Sequence, residues 1–173
     1  MEVVDKQKCP FCLKKTLTLT EDQMDIPFFG KTYIFSMTCS NCKYHKSDIE
    51  AEETKDPVRY TLEIDNAKDM NIRVVKGSEA TVSIPNLKMT MESGPSSDGF
   101  VTNVEGMLQR FKKIIESERD NTDEEDVRKE AKNLLKKLWK VELGEQKVKL
   151  IIEDPTGNSA IISEKVKVEK LKK

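Results

Sequence analysis

Four thiols dominate the chemistry this chain could carry. Cys9-Pro10-Phe11-Cys12 and Cys39-Ser40-Asn41-Cys42 are two C-x-x-C pairs separated by 26 residues, and together they use every cysteine in the chain. Two residues between thiols let a tight turn aim both sulfurs at one point. Two such turns supply the corners of a tetrahedral zinc site, so Cys9, Cys12, Cys39 and Cys42 are the expected ligands of one zinc ion. Four thiolates close the coordination sphere and leave no position for water, so the expected metal is structural rather than catalytic. The competing readings are two disulfides or two pairs of inert buried thiols. Paired C-x-x-C in a chain without a secretory signal favours metal. His45, the only histidine, lies three residues past Cys42 and reads as an exposed residue leaving the second pair.

No second centre competes with this one. The chain has no Walker A sequence, no G-x-G-x-x-G and no nucleophile elbow, and a single histidine cannot build a histidine-rich catalytic metal site. The expectation is a non-enzyme. Basic and acidic residues nearly cancel, 30 against 31, with no basic stripe of the kind a general nucleic-acid binder carries. Lys6, Lys8, Lys14, Lys15, Lys43 and Lys46 near the thiols nevertheless keep a zinc-ribbon nucleic-acid or transcription- and translation-associated module as the alternative. The absence of a long apolar run argues against a membrane span, and the absence of a leader pattern places the chain in a reducing cytoplasm.

The elements that must position the thiols can be read from periodicity. Thr16 to Thr20 and Thr32 to Thr38 alternate like strands and meet through Ile26-Pro27-Phe28-Phe29-Gly30, a hairpin that brings the two pairs together as a zinc ribbon. Asp48 to Asp56 reads as an acidic connector. Short strands follow at Val58 to Ile64, Ile72 to Lys76, Ala80 to Ile84 and Leu87 to Met91, and others resume after Gln146, as in a small sandwich or barrel. Between the two groups lie two amphipathic helices. Each opens on a capping-box pattern, Thr102-Asn103-Val104-Glu105 and Thr122-Asp123-Glu124-Glu125, and a short joint at Ser117 to Asn121 makes them an antiparallel hairpin. The predicted class is α+β, mainly β. A four-cysteine zinc ribbon over residues 1–50 precedes a β-domain over 51–173, with the helical hairpin inserted at about 102–143.

A set of short motifs then carries a resemblance. Besides the two cysteine pairs and Ile26-Pro27-Phe28-Phe29, these are Arg59-Tyr60-Thr61-Leu62, Asp69-Met70-Asn71, Arg73-Val74-Val75-Lys76, Ile84-Pro85-Asn86-Leu87, Val104-Glu105-Gly106 and Asp154-Pro155-Thr156-Gly157-Asn158-Ser159. Together they resemble the ZPR-type zinc-finger family, in its single-unit, archaeal-like form. The resemblance implies a four-cysteine zinc finger followed by a double-stranded β-helix that carries the helical hairpin. It also implies a protein-binding role, with translation elongation factor 1-alpha as client and chaperoning of its biogenesis as the task. The zinc finger and the helical hairpin are the parts expected to touch that client. On side-chain chemistry, the candidate contacts are Ile26, Phe28 and Phe29 at the hairpin tip and Trp139 at the edge of the second helical stripe.

Overall fold

The computed structural model describes residues 1–26, 30–53 and 55–171, and Phe28 and Phe29 therefore lie outside the described residues. The N-terminal part is a four-stranded antiparallel sheet in chain order: β1 (Glu2–Gln7), β2 (Leu17–Ile26), β3 (Gly30–Cys39) and β4 (His45–Ala51). The hairpin of β2 and β3 is longer than the alternation suggests, pairing without a break from Leu17 opposite Cys39 to Ile26 opposite Gly30. Two of the four strands are absent from the sequence reading. β1 is exposed along its whole length, so it shows no alternation, and its register shifts between Val4 and Gln7, where Lys6 is left-handed. β4 replaces the first part of the expected acidic connector. Only Ile49 and Ala51 in it are buried, and polar contacts fix the rest.

Eight strands build the second part: β5 (Val58–Ile64), β6 (Arg73–Lys76), β7 (Thr81–Ile84), β8 (Met89–Met91), β9 (Phe100–Asn103), β10 (Val148–Asp154), β11 (Ala160–Ile162) and β12 (Lys167–Lys170). They form a five-stranded sheet in the order β12-β5-β10-β7-β8 and a three-stranded sheet in the order β11-β6-β9. Leu62, Ile64, Leu150 and Ile152 from the larger sheet meet Val74 and Ile161 from the smaller one in the main core, as in a jelly roll. On β6 and β11 the next residues, Val75 and Ala160, point the other way and pack with Ile26, Ile49 and Ala51 of the ribbon. Strand alternation thus makes the small sheet apolar on both faces, one face for its own core and one for the ribbon.

The helical hairpin is α1 (Val104–Asn121) and α2 (Glu125–Glu142). Met107, Leu108, Phe111 and Ile115 of α1 join Ala131, Leu138 and Val141 of α2 in the main core, as the stripes require. The joint is shorter than expected, residues 122–124, because α1 continues through Asn121. Both caps also sit elsewhere. Asn103, not Thr102, caps α1 by accepting from the Gly106 amide at 2.8 Å, because the helix begins directly at Val104 and Asn103 is the residue that precedes it. At α2 the cap is Glu124, and the Thr122 hydroxyl accepts from the Glu124 amide ahead of the helix. Neither helix is long and apolar enough to cross a membrane.

A polar seam joins ribbon to jelly roll alongside the apolar one. Asp48 accepts from the amide of Ser78 at 3.2 Å and from its hydroxyl at 2.7 Å. The Ser47 amide donates to Asp98 at 2.8 Å, and the Ala51 amide donates to the Asn158 side chain at 3.0 Å. The motif Asp154 to Ser159 is therefore a staple. Buried Asp154 holds the Thr156 amide and hydroxyl and the Ser159 hydroxyl, Ser159 in turn accepts from the Gly77 amide, and Asn158 is presented to β4. Gly99 has no room for a side chain, because a Cβ there would lie 2.8 Å from the Ile49 amide.

Candidate metal centre

The two cysteine pairs fold as near copies of one another. In the first, the Leu13 amide donates to the Cys9 carbonyl at 3.0 Å and the Cys9 amide to Lys14 at 2.9 Å. In the second, Lys43 donates to Cys39 at 3.1 Å and Cys39 to Tyr44 at 2.8 Å. The residue after each second cysteine is left-handed, Leu13 with φ 60° and Lys43 with φ 62°. Leu17 opposite Cys39 at the mouth of the hairpin sets the pairs face to face.

The four sulfurs lie within 4.8 Å of one another, with Cys9 to Cys42 and Cys12 to Cys39 both at 3.7 Å. Sulfurs about 2.3 Å from a tetrahedral zinc are about 3.8 Å apart, so the spacing fits that ion. The thiols are free, which removes the disulfide reading. Their electrostatics point the same way. Amide donation from Cys42 and a hydrogen bond with Thr16 hold Cys39 down to about 6. The Tyr44 amide pulls on Cys42 likewise, but burial and the three neighbouring sulfurs outweigh it and push that thiol up to about 11. Four thiolates at this spacing cannot all ionise unaided, and a divalent cation supplies the missing charge. His45 takes no place in this set: it pairs with Thr38 across β3 and β4, its Nδ1 3.0 Å from the Thr38 hydroxyl.

Around the sulfurs the packing is thin. Cys9, Leu17 and Cys39 are buried, with Leu19, Met37 and Tyr44 half-buried beside them. Phe11 meets the Tyr44 ring at 4.5 Å yet stays 70% exposed, and Leu13 is 63% exposed. Neither is among the contact residues read from the sequence. The signal available was position: x-x and post-cysteine sites in a metal turn have no core to enter.

The other predicted contacts separate. Ile26 is fully buried in the cluster with Ile49, Val75 and Ala160, which corrects its reading as an exposed tip residue. The far end of the hairpin is docked on the small sheet, so an apolar residue there does have a core to join. Trp139 is 59% exposed on the outer side of α2.

With this geometry in hand, the comparisons are decisive. Residues 2–55 match the ZPR1 zinc-finger domain, and residues 68–173 match the ZPR1 jelly-roll domain. A ZPR1-like protein of Methanocaldococcus jannaschii is 38% identical over 170 residues, 98% of this chain and 86% of that protein. The chain belongs to the ZPR1 family. A ZPR1-like protein of Pyrococcus horikoshii is 37% identical, covering 95% of this chain and 76% of that one. The bovine zinc finger protein ZPR1 is 33% identical over 79% of this chain but only 30% of its own length. The Schizosaccharomyces pombe protein named zinc finger chaperone zpr1 is 26% identical over the same shares. The ZPR1 architecture, one zinc finger and one jelly roll bearing a helical hairpin, is thus present once here.

Proposed function

We propose that this protein holds one structural zinc ion through Cys9, Cys12, Cys39 and Cys42 and binds translation elongation factor 1-alpha, assisting its biogenesis as a chaperone in the reducing cytoplasm. The observation that carries a protein-binding reading is the zinc end of the ribbon. Phe11 and Leu13 stand exposed there although a metal-held turn gives them no structural duty, and exposed apolar anchors of this kind mark interaction surfaces. Trp139 on α2 is a second anchor of the same character. The S. pombe relative's name as a chaperone supports the task, and the resemblance supports the client. Ile26 drops out of the contact set; Phe28 and Phe29 stay in it on side-chain chemistry alone. The test is a binding titration of the zinc-loaded protein against purified elongation factor 1-alpha, without nucleotide, with GDP and with a GTP analogue. Micromolar or tighter affinity in any state supports the reading. No affinity in all three ends it.

A nucleic-acid reading is favoured by one observation. Lys8, Lys15 and Lys43 have no acidic partner among the described residues and lie in the chain beside the two cysteine turns, one of which exposes the Phe11 ring, and single strands bind where basic and aromatic side chains combine. Affinity for a single-stranded oligonucleotide that falls steeply with salt, in a protein that ignores the elongation factor, would select it.

A further inference from the structure

β8 and β9 are free edges of the two jelly-roll sheets, and the loop 92–99 that joins them leaves a cavity of about 390 Å³ between them. We propose that this cavity is a receptor for a carboxylate side chain, with the Arg110 guanidinium as its fork and Lys76 as its floor. No residue of the cysteine turns lines the site. It uses the protein-binding reading only as the source of the carboxylate.

Three observations carry it. First, Arg110 sits over the Phe100 ring, its guanidinium carbon 3.6 Å from the ring centroid, and no carboxylate among the described residues pairs with it. Arg110 also lines the cavity, and a ring contact this close restrains a guanidinium whose planar fork can grip a carboxylate with two parallel hydrogen bonds. Second, Lys76 is 1% exposed, and its ammonium hydrogen-bonds to neutral oxygens, the Gly77 carbonyl at 3.0 Å, the Ser97 hydroxyl at 3.2 Å and the Asp98 carbonyl at 3.4 Å, and lies 5.7 Å from the Phe100 ring centroid. Burial presses its pKa down and the nearby Arg110 charge presses further, opposed by the carboxylates of Asp154, Asp48 and Asp98. Two cations thus border one gap, and although Asp154, Asp48 and Asp98 act on Lys76 through space, none of their carboxylates bonds to it: Asp98 holds the Ser47 amide, Asp48 holds Ser78 and Asp154 holds Thr156 and Ser159. Third, Ser96 and Ser97 line the same wall, with hydroxyls able to donate to an oxyanion. Glu92 also borders the gap. Its charge disfavours a doubly charged group, so a planar monoanion fits better than a phosphate dianion.

Side-chain NMR of the zinc-loaded protein tests this directly. The Arg110 Nε–Hε signal and the Ser96 and Ser97 amides would be followed during titration with sodium acetate, inorganic phosphate and sodium chloride at matched ionic strength. The expected result is a saturable acetate shift confined to these groups and weaker binding of phosphate. Arg110→Gln should lose about tenfold or more in acetate affinity, the size of one charge-assisted pair. Arg110→Lys, which keeps the charge but not the fork, should lose nearly as much, and Glu92→Gln should tighten binding. Melting curves of each variant establish that it is folded. No saturable shift, or equal shifts with chloride, overturns the receptor; phosphate binding more tightly than acetate overturns its assignment to carboxylates. Because the probe is acetate, these outcomes are independent of whether elongation factor 1-alpha is the client.

Discussion

The two ends of the β2–β3 ribbon are held by opposite means. At the far end, Ile26 is buried against Val75 and Ala160 and the Ala51 amide meets Asn158, while Ser47 and Asp48 stitch the middle of β4 to the jelly roll. At the near end, four sulfurs converge and few side chains are buried. Apolar burial consumes the side chains it uses, whereas coordination consumes only sulfurs. A metal-held end can therefore leave Phe11 and Leu13 facing water while remaining rigid, and rigid exposed anchors bind with little ordering cost.

The sharpest way to break this comparison is to remove the metal. Structural zinc contributes on the order of 10 kcal/mol to modules of this kind. Cys39→Ser should release zinc and melt the Cys9–Leu17 and Cys39–Tyr44 turns while Ile49, Ala51 and the jelly roll stay ordered. Metal analysis with hydrogen exchange reads both. A full zinc complement in the variant would refute the ligand set, and exchange spreading evenly through β4 would refute the division of labour between the ends.

Next in size is the far end. Ile26→Ala should cost about 2–5 kcal/mol, as large-to-small changes in a core do, with zinc retained. A change within about 0.5 kcal/mol, the scale of an ordinary surface site, would return Ile26 to the surface role first read for it. Smaller again is Asp48→Ala. It strips acceptors from the Ser78 amide and hydroxyl and from the Ile49 amide, and because water can replace the carboxylate at these half-buried donors the total loss is about 1–3 kcal/mol. Melting should fall while zinc content holds. A drop in zinc would mean that the seam and the metal site are one cooperative unit.

What was legible in the sequence follows the same divide. The thiols could be read because a metal site needs particular residue types at particular spacings, and the helices because their core stripes repeat at 3.6 residues. β4 could not be read. Its place is set by the carboxylate of Asp48 and by backbone amides meeting Asp98 and Asn158, partners about 50 and 107 residues away in the chain, which leave no local period. Ile26 was misplaced for a related reason: an apolar residue beside a turn reads as a tip until the sheet it docks on is known. The α1 cap was misread by one residue because β9 runs directly into the helix and places Asn103, an equally good capping residue, immediately before it.

The smallest expected effect on stability is the most informative about function. Leu13 is left-handed, which costs a non-glycine residue about 1–2 kcal/mol, so Leu13→Gly relieves strain while adding a similar unfolded-state entropy cost. Phe11→Ala loses its contact with Tyr44, about 0.5–1.5 kcal/mol for an aromatic pair and less for a ring this exposed. The double variant should therefore keep its zinc and melt within about 1 kcal/mol of the parent, far from the loss expected of Ile26→Ala. Its affinity for elongation factor 1-alpha should nevertheless fall at least about thirtyfold, since anchor residues commonly contribute 2 kcal/mol or more to an interface. Unchanged affinity with unchanged melting would leave Phe11 and Leu13 idle and move the contact to Trp139, where Trp139→Ala makes the same measurement. A large fall in melting temperature would instead mean that the metal does not hold its end alone and that the two ends of the ribbon share one mechanism.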